Sequence, residues 1–137
     1  MGEIVVNVGL ENPVDRINAN RGISSEESVR RTRVDGIVDT GAVALVLPQN
    51  VVERFGVESF RTVVVTYAEE RKGERPVAGP LTIEVCERSM TTDCIVGPPF
   101  SRPLIGQIIL EMLDLIPDST NRTLAPRMPD YPLLNLK

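Results

Sequence analysis

The stretch GIVDTGAVALVLP, residues 36–48, sets one acidic side chain between two apolar runs. Ile37 and Val38 lead in and residues 42–47 lead out, a composition that suits strands packed on a core. Asp39 stands between them, followed by the hydroxyl of Thr40 and by Gly41. A carboxylate among apolar neighbours is costly to bury without a partner, so the partner has to be sought elsewhere in the sequence.

Composition narrows the search. The 137 residues, 42% hydrophobic and 25% charged, predict a single domain spanning residues 1–137 with a core of its own. Aromatic residues make up only 4% and Trp is absent, so Val, Ile, Leu and Ala must fill that core, which favours a mainly β fold. The net charge is -4 and the basic residues are scattered, so no basic stripe points to nucleic acid. The chain has no His and only two Cys, which removes His-dependent triads and ordinary zinc sites, and no metal or cofactor is expected. Chemistry falls to carboxylates, hydroxyls, Lys or a thiol. No run approaches the ~18 apolar residues of a membrane span, and the first residues, MGEIVVNVGLENP, lack a basic leader. The expectation is a cytoplasmic protein with no membrane partner.

Local patterns place the motif. Residues 3–10, EIVVNVGL, read as a strand closed by an Asn-Pro turn, and the polar VDRINANRGISSEE that follows reads as a surface loop. SVRRTRVDGIVDTG becomes apolar toward its end and predicts a strand running inward to Asp39. LPQNVVERFGVES fits one or two helical turns stopped by Gly56. Residues 60–89 read as two β-rich runs joined by a charged turn containing Gly73, and a second hairpin turn is expected near Ser89 to Thr92. Cys86 and Cys94 lie symmetrically about Met90, so such a hairpin would let them face each other in a disulfide; a reducing compartment favours two free thiols instead. GQIILEMLDL predicts a short helix with Ile108, Ile109, Met112 and Leu113 on one face and Asp114 outside it. LDLIPDSTNRTLAP reads as strand, tight turn, strand, and residues 126–137 form a Pro-rich tail expected to be extended.

The pattern apolar-apolar-Asp-Thr-Gly-Ala resembles the active-site segment of aspartic proteases. RPLIGQIILEML, downstream, resembles the apolar-apolar-Gly segment that precedes the short helix of the retropepsin-like family, and the long charged hairpin lies between the two. This ordered set, residues 37–115, is more specific than a bare Asp-Thr-Gly. The resemblance is to the retropepsin-like aspartic proteases, and it looks closer to their bacterial and archaeal single-domain type, where LP after the motif and Leu-Ile-Gly before the helix are familiar. It implies a retropepsin-like acid protease fold: a closed, β-barrel-like domain with a flap hairpin over roughly Thr66 to Gly79 and one short C-terminal helix. It implies Asp39 as the catalytic carboxylate, Thr40, Gly41 and Ala42 as its loop, Tyr67 and Ala68 on the flap, and Ile105 and Gly106 in the cleft. Thr40 would bond across a two-fold axis to the partner subunit's loop.

Only one Asp-Thr-Gly occurs, whereas the chemistry needs two carboxylates. Asp39 is therefore expected to pair with Asp39 of a second copy in a C2 homodimer. Carboxylates held that close share a proton and titrate as a unit. One would act as general base on a water while the other hydrogen-bonds the scissile carbonyl of a peptide.

Three features depart from the retroviral pattern. Val43 and Gln107 stand where an Asp and an Arg usually pair, and losing both together leaves no unpaired charge. TYAEERKGERPVAG is charged where family flaps tend to be Gly-rich, either as a solvated turn or as a means of selecting substrates by charge. Both termini interleave in a dimer sheet in the retroviral enzymes, whereas the Pro-interrupted tail here suits a central strand poorly. The expected activity is that of an aspartic endopeptidase cutting extended, apolar peptides. A protease-fold module that binds peptides or dimerises without cutting is the alternative, and a β-sandwich with a chance Asp-Thr-Gly is a weaker third.

Overall fold

In the computed structural model, which describes residues 3–67 and 69–136, the longest strand holds the architecture together. This is β5, Lys72–Val85, and it pairs with three others: β4 (Glu58–Thr66), β6 (Arg88–Gly97) and β1 (Val5–Glu11). β1 continues into β2 (Arg31–Val38), β2 into the two-residue β7 (Leu104–Ile105), and β7 into β3 (Val46–Pro48), which returns to β6. The order β1-β2-β7-β3-β6-β5, with β5 back on β1, makes a mixed sheet that almost closes into a barrel-like ring. β4 pairs only with β5 and projects as one arm of a hairpin. A separate two-stranded sheet, β8 (Leu115–Asp118) with β9 (Thr123–Pro126), follows the last helix. The expected mainly β, barrel-like fold is present.

The ring is filled from alternating strand positions. Leu81, Ile83 and Val85 of β5 point inward while Thr82 and Glu84 between them do not, the period of a half-buried strand. Val8, Leu10, Leu45, Leu47 and Ile105 meet them in one cluster. Each such side chain contributes about 1.5–3 kcal/mol by leaving water.

Three short α-helices flank the ring. α1 (Pro13–Asn20) occupies the stretch expected to be a loop. The Asn12-Pro13 pair that reads as a turn is instead an N-cap followed by Pro in the first helical turn, with Asn12 Oδ1 accepting from the amides of Val14 and Asp15. Buried Asn12 also donates to the Phe55 carbonyl, which fixes α1 to the turn after α2 (Gln49–Glu53). α3 (Gln107–Leu113) buries Ile109, Leu110 and Leu113. At seven residues it is too short to persist alone, so this burial holds it. The predicted face is corrected here: Leu110 turns inward, and Ile108 and Met112 are exposed. Asp114 ends the helix in the left-handed conformation.

The β5–β6 turn also differs from expectation. It falls at Cys86-Glu87, both with positive φ, as in a two-residue hairpin, and not at residues 89–92. Cys86 therefore sits in the turn, while Cys94 pairs with Ala78 and is buried. The two thiols are free, and the disulfide geometry the sequence allowed does not arise. No helix among the described residues is long and apolar enough to cross a membrane.

Candidate active site

Asp39 emerges directly from the end of β2, where β7 lies parallel and in register with Ile37 and Val38. β7 also pairs antiparallel with β3 through Leu104 and Val46, so the strands on either side of the Asp39 loop meet at Leu104. Main-chain bonds continue past the strand ends. The Ile37 amide donates to the Pro103 carbonyl at 2.9 Å, and the Asp39 amide to the Ile105 carbonyl at 3.0 Å. On the other flank, the Gln107 amide donates to Ala42 at 2.8 Å and the Ile108 amide to Val43 at 3.0 Å.

The loop turns back on its own carboxylate and is backed by a glycine outside it. Gly41 donates its amide to Asp39 Oδ1 at 2.9 Å, which orients the carboxylate along the turn. Gly106 lies against the loop from below: a Cβ there would collide with the Ala44 carbonyl oxygen and stand 2.8 Å from that of Ala42. Any side chain at 106 would push the loop off its seat. Gly36 is similarly close to Ile105, whose Cδ1 would be 3.0 Å from an added Cβ.

Four of the residues singled out in the sequence, Asp39, Gly41, Ala42 and Ile105, thus form one hydrogen-bonded unit, and a fifth, Gly106, packs against it. Asp39 is half-buried, Thr40 is exposed at the loop tip, and Ile105 is buried beneath. Among the described residues no cation lies within ion-pair distance of Asp39. The carboxylate keeps Oδ1 on Gly41 while remaining partly open to solvent.

Val43 and Gln107 do not replace the charged pair side chain for side chain. Val43 is 70% exposed, and the Gln107 side chain donates to Glu111 along α3. The two main-chain bonds from α3 do the anchoring instead.

The hairpin between the two motifs is β4–β5, whose last pair is Thr66 with Lys72. Tyr67 closes the tip: its amide donates to the Arg71 carbonyl at 2.8 Å, and the Arg71 guanidinium lies 4.9 Å from its ring centre. The ring also packs against Gly73. These contacts are internal to the hairpin and do not join Tyr67 to the Asp39 loop. Ala68 lies outside the described residues.

A further candidate is Phe100, which sequence reasoning passed over. It is 84% exposed with positive φ, and its amide donates to Asn50 Oδ1 at 2.7 Å. Its loop, residues 98–103, runs straight into β7 and ends at the Pro103 carbonyl that accepts from Ile37. The sequence shows a lone Phe in a Pro-rich loop immediately before the Leu-Ile-Gly segment, and its exposure is visible only in the fold. The surface depressions elsewhere, one beside Arg31, Arg33 and Glu84 and one beside Met112 and Leu134, do not include Asp39. No family model matches this sequence, and no curated protein matches it at a significant level.

Proposed function

We propose that this chain is an aspartic endopeptidase of the retropepsin-like type, active as a homodimer. The observation that carries the reading is the seat of Asp39: a carboxylate at a strand end, oriented by Gly41 and locked from beneath by Gly106 and the first turn of α3. Such packing fixes a catalytic group within the narrow tolerance that proton transfer needs.

Two copies related by a two-fold axis would bring both Asp39 carboxylates to one water. One carboxylate removes a proton from the water as it attacks the scissile carbonyl carbon, and the protonated partner donates to the carbonyl oxygen. The resulting diol collapses as the amide nitrogen takes a proton from the dyad, and the C–N bond breaks. Thr40, exposed at the loop tip, would bond to the opposite loop. The β4–β5 hairpin would cover an extended peptide, and Phe100 would wall the apolar cleft.

The test is cleavage of a mixed peptide library from acidic to neutral pH by wild type and by Asp39→Asn, with sedimentation of both. Cleavage by dimeric wild type and none by an equally dimeric variant is expected. A dimeric wild type inert at every pH would sink the reading and leave a peptide-binding module.

A further inference from the structure

We propose that the second copy docks on a side-chain patch formed by the outer face of α3 and the C-terminal tail, without exchange of strands between subunits. This rests on reading Asp39 as half of a dyad. If two such carboxylates share one proton, the two-fold axis passes within a few ångströms of each, on the order of a hydrogen bond. Whatever adjoins the Asp39 loop then faces the other copy.

Val43 adjoins it, exposed, four residues after Asp39. The Val43 carbonyl accepts the Ile108 amide, so the first turn of α3 is fixed beside the axis. Ile108 and Met112, spaced by one helical turn, share the face of α3 that the core leaves open. The apolar stripe does not stop at the helix end. Leu133 and Leu134 of the tail, both substantially exposed, border the same depression as Met112.

The tail is placed there by a dedicated set of bonds. Asp114 accepts from Arg127 Nε at 2.8 Å and from the Leu133 amide at 3.0 Å, and Arg127 also donates to the Leu133 carbonyl at 3.1 Å. Arg88 donates to the Leu113 carbonyl at 2.7 Å and to that of Met128. Three charged side chains thus hold apolar residues at the surface, at the end of α3 opposite to the one that meets the Asp39 loop.

Strand exchange is the less suitable design. β1 is paired with β2 along its length, and its last three residues, Gly9 to Glu11, are paired with β5 as well. The tail has Pro at 126, 129 and 132, which removes the amides a shared sheet would use. An isologous contact through Val43, Ile108, Met112, Leu133 and Leu134 needs neither.

Sedimentation equilibrium of wild type, Met112→Asp, Leu134→Asp and the control Ile23→Asp, which lies in the exposed segment after α1, tests the interface; circular dichroism monitors folding. The expected result is a wild-type dimer, a dissociation constant raised about tenfold or more by each patch variant, and no change in the control. Met112→Gln takes the place of any Asp variant that does not fold. Patch variants that dimerise like wild type, a control that weakens as much, or a monomeric wild type would each overturn the proposal. Peptide cleavage read in parallel separates the two ideas: a dimer broken at the patch but inert as wild type keeps the interface and removes the protease, whereas cleavage with a dimer untouched at the patch does the reverse.

Discussion

The amide of Gln107 donates to the carbonyl of Ala42 at 2.8 Å, and with the Ile108–Val43 bond it seats α3 on the Asp39 loop. Those bonds are short only because Gly106 carries no side chain. Gly106→Ala is therefore expected to destabilise the fold by about 1–3 kcal/mol, the range for forced overpacking, which lowers Tm by up to roughly 10 °C. Thermal unfolding followed by circular dichroism measures it. An unchanged Tm would mean that the loop relaxes freely and that its position is not fixed from beneath.

The strands flanking Asp39, the long hairpin, the short helix and the β8–β9 pair were legible because each has a strong local signature: β-branched runs, a charged segment between two of them, Gly106 before an apolar helix. The turn of the long hairpin does not contain Gly73 as expected: Gly73 lies within β5, paired with Val65. Three further features were not legible. Asn12-Pro13 serves a turn and a helix start equally well, and only the buried bond from Asn12 to Phe55 decides for the helix. The face of α3 could not be read from spacing, since an all-apolar Ile-Ile-Leu fits either orientation and the core takes Leu110 over Met112. The Cys86-Glu87 turn carries neither Asn nor Gly, so residues that pay to adopt positive φ gave no sign of it.

That turn makes a prediction of its own. Glu87 uses its main-chain amide, bonded to Glu84 at 2.8 Å, and holds φ at 66°. A left-handed conformation costs a non-glycine residue roughly 1–2 kcal/mol, part of which glycine gives back through a freer unfolded chain. Glu87→Gly should stabilise by about 0.5–1 kcal/mol net, read as a higher urea midpoint at constant m. A lower midpoint would show that the Glu87 side chain contributes more than its backbone strain costs.

Acid should unfold the protein through identifiable groups. The Arg30 guanidinium, and then its amide, hold the Asp15 carboxyl at about 2. Arg127 and the Leu133 amide hold Asp114 below the usual carboxylate range, and Asn121 does the same for Asp118. Each group binds its proton more weakly folded than unfolded, so each adds stability above the ordinary value and withdraws it as pH falls through the folded one. Tm is expected to hold from neutral pH down to about 4 and to drop between about 4 and 2. Asp15→Asn should flatten part of that drop, and a variant with the full wild-type acid slope would remove Asp15 from the account.

The thiols should differ in reactivity. Burial pushes the Cys94 thiol up to about 12, and β6 encloses it in the core. Burial also raises Cys86, less completely, at the turn where its Sγ lies 3.5 Å from the Leu124 carbonyl. Titration with a thiol reagent at mildly alkaline pH should find one slowly reacting group in the native protein and a second only on unfolding. Two fast thiols, or none after denaturation without reductant, would contradict the free, unequal pair.

Phe100 tests the cleft. The residue is exposed, so its removal costs the fold little, and Asn50 holds the loop through the main chain whatever side chain stands at 100. If it walls the peptide site, Phe100→Ala should raise KM for substrates with large apolar residues at the cut by about tenfold, the worth of a buried aromatic contact. Because that contact serves ground state and transition state alike, kcat should change little. Dimerisation and Tm should stay at wild-type values, which separates loss of a binding wall from loss of structure. A fall in kcat at constant KM would place Phe100 against the reacting centre instead, and an unchanged profile for every peptide would put the cleft on another face of the loop.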